Sequence, residues 1–284
     1  MFGVLARPGR GQRGRCALLQ RPTQSLPDAS SQQGINNLMF TAPRLLRGLT
    51  TAGAGRVASF VPPPPSVVSV LKSTPCVCFD VDSTVITTEG IDELAAFAGK
   101  KEAVSELTRR AMGGSVPFHE ALEARLSLIS PARSLLDTFL AAHPSVFTPG
   151  VEAVISALHA RGTHVYLVSG GFTQMIHPLA HTLRIPLDRV YANTILFKGG
   201  SGGYAGFDTS APTSRDGGKA EVMRILRAKH NYASIVVIGD GATDLQARPP
   251  ADVMLGYGGI VEREAVKKGA DFFFYDFKAL LQYI

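Results

Sequence analysis

Five short apolar runs, none of them alternating with polar residues, set the fold of this 284-residue chain. They are CVCF at 76–79, HVYLV at 164–168, SIVVI at 234–238, DVMLGY at 252–257 and DFFFY at 271–275. A strand with one wet face alternates; an unbroken β-branched and aromatic run belongs to a strand covered on both faces. Between the runs lie helix-like stretches near 150–161, 172–183, 217–229 and 261–268. Strand and helix in repetition predict an α/β fold, a doubly wound parallel sheet with helices on both sides. Open sheets of this kind bind ligands beyond the carboxyl ends of their strands. The residues that end each run are therefore where chemistry should be sought.

Three segments depart from the rhythm. Residues 91–145 are rich in Ala, Leu, Glu and Arg, hold no strand-like run, and are punctuated by Gly113-Gly114 and Pro117. They predict a helical insertion after the first strand. At 194–207, TILF and YAGF flank KGGSGG, which predicts a small β-hairpin with a Gly-rich turn. Residues 1–70 carry eight arginines, no lysine and a single acid, Asp28, a charge of +7 that exceeds the chain's net +6 and leaves −1 for the rest. An Arg-rich, acid-poor leader reads as an organelle-targeting peptide, with a disordered basic tail as the bland alternative. No long apolar run follows Met1 and arginines interrupt the first twenty residues, which argues against a secretory signal. Pro62 to Pro65 read as an extended polyproline spacer, placing the domain boundary near residue 70, the catalytic body at 75–90 and 146–284, and the insertion at 91–145.

With the leader set aside, the body is close to neutral, so no basic face for nucleic acid is expected, and no apolar stretch long enough to span a membrane is seen. Cys76 and Cys78, two apart on a strand, share a face and read as small core residues of a reduced protein.

Four strand ends or helix starts carry chemistry-bearing residues. Asp80 and Asp82 close the first run in CFDVDST, on one face of the strand, where paired carboxylates invite a bound Mg²⁺ or strong hydrogen bonds. The second run ends in VSGG (168–171), and Ser169 with Gly170 offers a hydroxyl and bare N–H groups before a helix. Lys219 follows Asp216-Gly217-Gly218 at a helix start, where the dipole disfavours a cation unless an anion is bound nearby. The third run ends in IGDGATD, with Asp240 at the sheet edge and Asp244 in the first helical turn. Each signal alone has a bland reading: a polar turn, a Gly turn, a solvated lysine, a capping aspartate. Together they bring a nucleophile, a hydroxyl, a cation and metal carboxylates to equivalent edges, which is the equipment of phosphoryl transfer.

The strings CFDVDSTV, EGIDELA, RRAMGGSVPF, SGGF, GGKAEV and GDGATD resemble the haloacid-dehalogenase superfamily, and within it the phosphoserine phosphatases, over nearly all of residues 76–284. The resemblance implies a Rossmann-like core with a helical cap, Asp80 as nucleophile, and Asp82 as general acid and base. It implies Mg²⁺ held by Asp80, the backbone carbonyl of Asp82 and Asp240, with Asp244 supporting the site. Ser169, Gly170 and Lys219 would bind the phosphoryl group. Glu89 would hold the substrate ammonium group, Arg125 its carboxylate, and Met112, Gly113 and Thr243 would complete the substrate pocket. Without the resemblance, Glu89 reads as a helix-start acid and Arg125 as an exposed helix arginine. The implied activity is hydrolysis of O-phosphoserine, the last step of L-serine biosynthesis, with another small phosphate ester or phosphotransfer as the alternative. A homodimer is compatible with the resemblance; the Arg-rich leader suits plastids and mitochondria alike, and the residence of plant-type relatives implies the chloroplast stroma ahead of the mitochondrial matrix.

Overall fold

A computed structural model describes residues 61–110 and 116–284. All five apolar runs form strands: β1 (Cys76–Phe79), β2 (His164–Phe172), β6 (Ile235–Gly239), β7 (Val253–Tyr257) and β8 (Phe272–Phe274). A further strand, β3 (Val190–Asn193), was not expected; it is short and half-exposed at the sheet edge, so it lacks the apolar signature. The sheet runs β3-β2-β1-β6-β7-β8 with every pair parallel. The chain winds outward from β1 in both directions, so the switch point of the topology lies at β1 and β6.

Alternation along each strand assigns the two faces. Val77, Phe79, Val165, Leu167, Val236 and Ile238 pack on one side against α6 (Val151–Ala160) and α7 (Thr173–Thr182). Cys76, Cys78, Tyr166, Ile235 and Val237 pack on the other against Val222, Met223 and Leu226 of α8 (Gly218–His230). Both faces are covered, as unalternated strands require. Cys76 and Cys78 share the second face as free thiols, their Sγ atoms 3.9 Å apart.

The spacer boundary needs correction. Pro65–Ser73 is a helix, α1, with Val67 and Leu71 buried in the main core. Pro64 as N-cap and Pro65 at the first helical position fit, because a proline's fixed φ suits a first turn whose N–H is unpaired anyway. The folded body therefore includes Pro65–Ser73, which a start near residue 75 leaves out. Residues 1–60, on which the targeting reading falls, lie outside the described residues.

Among its described residues the insertion holds four helices, α2 (Gly90–Phe97), α3 (Lys101–Arg110), α4 (Phe118–Ile129) and α5 (Arg133–Ala142). Their apolar faces (Leu94, Val104, Leu122, Leu126, Leu136, Phe139) form a third cluster, which continues onto Phe172 and Met175 of the core. The expected hairpin is present as antiparallel β4 (Ile195–Phe197) and β5 (Tyr204–Phe207). Its Ile195 and Phe207 belong to the insertion's cluster. The Arg133 N–H donates to Gly202 O at 2.8 Å, and the Arg133 guanidinium lies 4.4 Å from the Phe197 ring centre. The hairpin is thus a second limb of the insertion. Among the described residues, no helix is long and apolar enough to cross a membrane.

Candidate active site

Asp80 is the first residue past β1, and its N–H still donates to Ile238 O of β6 at 2.9 Å, so the ladder fixes its backbone. Its Oδ1 accepts the Val81 N–H at 2.8 Å and the Lys219 ammonium at 2.8 Å. The same Lys219 Nζ donates to Asp244 Oδ1 at 2.8 Å. Asp244 is fully buried, and its Oδ2 accepts the Gly241 N–H at 3.1 Å, which ties it to the start of α9 (Ala242–Leu245). There is no room for a side chain at Gly239: a Cβ there would lie 2.2 Å from the Asp244 carboxylate carbon. Burial opposes the charge on Lys219, but Asp244 and Asp80 outweigh it and hold the ammonium above its ordinary value. Lys219 is thus no solvated lysine.

Asp240, at the end of β6, is buried and accepts from Thr84 Oγ1 at 3.0 Å and from Arg263 Nε at 3.0 Å. Carboxylate oxygens of Asp80, Asp240 and Asp244 all lie within 4.8 Å of one another. Asp240 and Asp244 are both raised from the ordinary carboxylate value, first by burial and next by the charge of Asp80. Three hard oxygen donors crowded at a sheet edge, with repulsion among them, fit a divalent cation such as Mg²⁺. Asp244 spends one oxygen on Lys219 and the other on Gly241, which suits a supporting role.

Asp82 stands apart from this cluster. Its Oδ1 accepts the Gly90 N–H at 2.7 Å, and its Oδ2 accepts from Ser169 Oγ at 3.4 Å. Burial, then Glu89 and Asp80, push it up to about 7, against the Gly90 hydrogen bond and Lys219. A carboxyl held there can give and take a proton near neutrality. Ser169 is buried and accepts the Gly171 N–H at 2.8 Å. The β2–β3 register slips between Val168 and Phe172, so Ser169, Gly170 and Gly171 lie in an irregular part of the strand. Asn193 Nδ2 donates to Gly170 O at 2.8 Å and pins the glycine pair from β3.

Ser83 sits at φ 54°, in the left-handed region, and its N–H donates to Thr88 O at 3.2 Å, closing the turn that returns Glu89 to the site. Glu89 Oε1 accepts from Ser83 Oγ at 2.8 Å and from Arg263 Nη2 at 3.4 Å. Arg125, on α4, donates Nε to Ala121 O at 3.1 Å. Burial lowers its pKa, against the attraction of Asp92, Glu89 and Asp82, so its guanidinium stands in the field of the same acids. It is not the exposed arginine of the bland reading. Thr243 is half-buried on α9. Met112 and Gly113 lie outside the described residues.

Sequence reasoning missed Arg263, which stands at the N-cap of the short helix Glu264–Gly269 and belongs to none of the motifs singled out. It joins Asp240 to Glu89, residues far apart in sequence. Thr84 was also missed, although it stands inside the DST string beside Asp82 and its hydroxyl is the shortest link to Asp240 from that turn.

A family profile for haloacid dehalogenase-like hydrolases matches residues 77–247. The chain is 46% identical over 248 residues to the chloroplastic phosphoserine phosphatase of Arabidopsis thaliana, covering 84% of this chain and 83% of the relative. It is 50% identical over 209 residues to the phosphoserine phosphatase of Bos taurus, covering 74% and 92%. Among solved structures, a phospho-aspartyl intermediate analogue of a phosphoserine phosphatase aligns with a TM-score of 0.63 at 27% identity, over 75% of this chain and all of that one. DsGPDH of Dunaliella salina aligns with a TM-score of 0.70 at 33% identity over 79% of this chain, which spans only 38% of that protein's length.

Proposed function

The chain belongs to the haloacid dehalogenase-like hydrolases and, among them, to the phosphoserine phosphatases, and from that premise we propose that it hydrolyses O-phosphoserine to serine and phosphate with Asp80 as nucleophile. The observation that carries the reading is Lys219, bridging Asp80 and Asp244 at 2.8 Å each beside the carboxylate of Asp240. It fixes one carboxylate for attack next to a cation that can neutralise an incoming phosphoryl group.

Both contacts on Asp80 fall on Oδ1, leaving Oδ2 to attack phosphorus. The P–O bond to serine breaks as Asp82 gives its proton to the departing oxygen. An aspartyl-phosphate remains on Asp80. Asp82, now ionised, takes a proton from water as the water oxygen attacks phosphorus, and phosphate leaves with Asp80 restored. Ser169, the Gly170 N–H and Lys219 receive the phosphoryl oxygens. Asp80, the Asp82 carbonyl and Asp240 would hold Mg²⁺, which when bound neutralises charge on the phosphoryl group. Glu89 and Arg125 take the ammonium and carboxylate of phosphoserine, and Met112, Gly113 and Thr243 complete the pocket. The helical insertion serves as a cap over the crevice.

We assign the protein to the plastid stroma, with the mitochondrial matrix as alternative; the support is the Arg-rich leader and the similarity to a chloroplastic relative. A fusion of residues 1–64 to a fluorescent protein that stayed outside plastids would overturn that assignment. The activity is tested by phosphate release from a panel of phosphorylated amino acids and sugars, with and without Mg²⁺. Phosphoserine should lead the panel and depend on the metal; preference for a sugar phosphate, or transfer of phosphate to an added alcohol, would replace the assignment.

A further inference from the structure

We propose that Asp216 is a positioning residue that latches the helical insertion onto the catalytic core. Its Oδ2 accepts the Phe118 N–H at 3.0 Å, across 98 residues of sequence. Phe118 is the first residue of α4, the helix that carries Arg125. The first N–H groups of a helix have no partner within it, and here the N-cap is Pro117, which has no side-chain acceptor to offer. A carboxylate from the core fills that place and lies at the positive end of the helix dipole.

The contact fixes more than a backbone. The Phe118 ring is seated on Gly170, so closely that a Cβ there would lie 3.0 Å from its Cζ. Gly170 belongs to the segment assigned to the phosphoryl group. Asp216 lies three residues before Lys219 and just ahead of α8, whose first residue, Gly218, packs so closely on the preceding turn that a Cβ there would lie 2.1 Å from Pro212 O. The turn that leads into α8 and its Lys219 thus also holds the helix that bears Arg125. The hydrogen bond is exposed, so it can break without disturbing the core. Opening of the insertion must break it, lift Phe118 from Gly170 and carry Arg125 away from Glu89.

The latch rests on the proposed activity only for its kinetic consequence, and the test separates the two. Amide hydrogen exchange at Phe118 is measured in the full chain for wild type, Asp216→Ala and Asp216→Asn, with Ile238 in β6 as the reference. Loss of a capping acceptor should speed Phe118 exchange about three- to tenfold in the alanine variant. The asparagine variant, which keeps an acceptor without its charge, should recover part of this. Ile238 should not change. KM for phosphoserine should rise by a similar factor in the alanine variant, with kcat level or higher because the closed state is less favoured. Unchanged exchange at Phe118, acceleration shared by Ile238, or faster exchange with an unmoved KM would each overturn the latch. A wild-type protein that does not turn over phosphoserine would instead remove the proposed activity, and the exchange comparison would still decide the contact.

Discussion

Replacing Arg263 by Met tests whether the acid cluster is built around a cation. Arg263 makes two contacts of unequal worth. Nη2 to Glu89 is long, at 3.4 Å, and the Glu89 side chain is 40% exposed, so solvent screening leaves it well under about 1 kcal/mol. Nε to Asp240 is 3.0 Å, and the Asp240 side chain is 3% exposed. A charge-assisted hydrogen bond of that kind is worth about 1.5–3 kcal/mol, and the one-third exposure of Arg263 places it toward the lower end, about 2 kcal/mol. Methionine keeps the aliphatic stem, so lost packing is a minor contribution. For a domain of this size a loss of about 2 kcal/mol lowers Tm by roughly 4–8 °C. That is the expected result in metal-free buffer. With saturating Mg²⁺, Asp240 has a different counter-charge, and the gap should narrow; the variant should gain more Tm from the metal than wild type does. Thermal melts of both proteins, with chelator and with Mg²⁺, decide the matter. Equal gains in the two proteins would refute the idea that Arg263 and the cation serve the same carboxylate, and an unchanged metal-free Tm would refute the energetics.

The two strand-end aspartates should separate by their chemistry. Asp80→Asn should abolish the hydroxylamine-sensitive phosphoenzyme, whereas Asp82→Asn should still form some from an ester with a good leaving group; the reverse pattern would exchange their roles. Arg125→Ala and Glu89→Gln should raise KM for phosphoserine about tenfold or more while barely changing turnover of an ester lacking the carboxylate or ammonium, and equal losses on both substrates would remove the specificity assignment. Asp82, Glu89, Asp240 and Asp244 are all raised on folding, burial first in each case. A raised acid stabilises most below its unfolded value and loses that contribution as pH climbs through its folded one. Metal-free protein should therefore lose stability as pH rises from about 4 to about 8, through the values of Asp82 (about 7) and Asp244 (about 8), and Mg²⁺ should raise Tm more at about pH 8 than at about pH 5; a metal effect independent of pH would count against the cluster. A chain beginning at Pro64 should melt like the full protein, whereas one beginning at Ser73 should lose several degrees, because Val67 and Leu71 are buried against the core and each is worth about 1.5–3 kcal/mol. Equal melting points would make α1 dispensable.

What could be read from the sequence follows the range of the physics involved. Burial on both faces of a strand writes itself into four or five consecutive residues, so CVCF, HVYLV, SIVVI, DVMLGY and DFFFY each announced a strand. VYAN did not: at the edge of the sheet Val190 and Tyr191 are only partly covered, and Asn193 serves Gly170 and not the core. The prolines at 62–65 concealed α1, because a proline that ends a spacer and a proline that begins a helix have the same φ. Asp80, Asp82, Ser169, Lys219 and Asp240 were legible for a related reason. Asp80, Asp82 and Asp240 follow the end of an apolar run, Lys219 starts a helix, and Ser169, though β2 continues to Phe172, stands where its apolar run gives way to a Gly pair, so local pattern marks all of them.

The residues that stayed hidden are those whose partners are distant in sequence. Arg263 follows no strand end, and nothing in GGIVEREAV says that its guanidinium will meet Asp240 and, 174 residues away, Glu89. Asp216 was visible only as a neighbour of Lys219, yet its carboxylate reaches a helix of the insertion. The division has a chemical logic. A group that must touch phosphorus has to stand at the carboxyl edge, and the sheet supplies few such positions, so sequence pattern finds them. A group that orients another can act from any loop that passes within a hydrogen bond, and the sheet places no restriction on where in the chain that loop occurs. Ser83 lies between the two cases: it sits inside the DST string, but its role in holding Glu89 depends on a left-handed φ that no composition predicts for serine. The strain at that turn is tolerated because Thr88 O, Glu89 and the buried walls around it all fix the same conformation. What they hold in place is the Glu89 carboxylate, the group proposed to receive the substrate's ammonium.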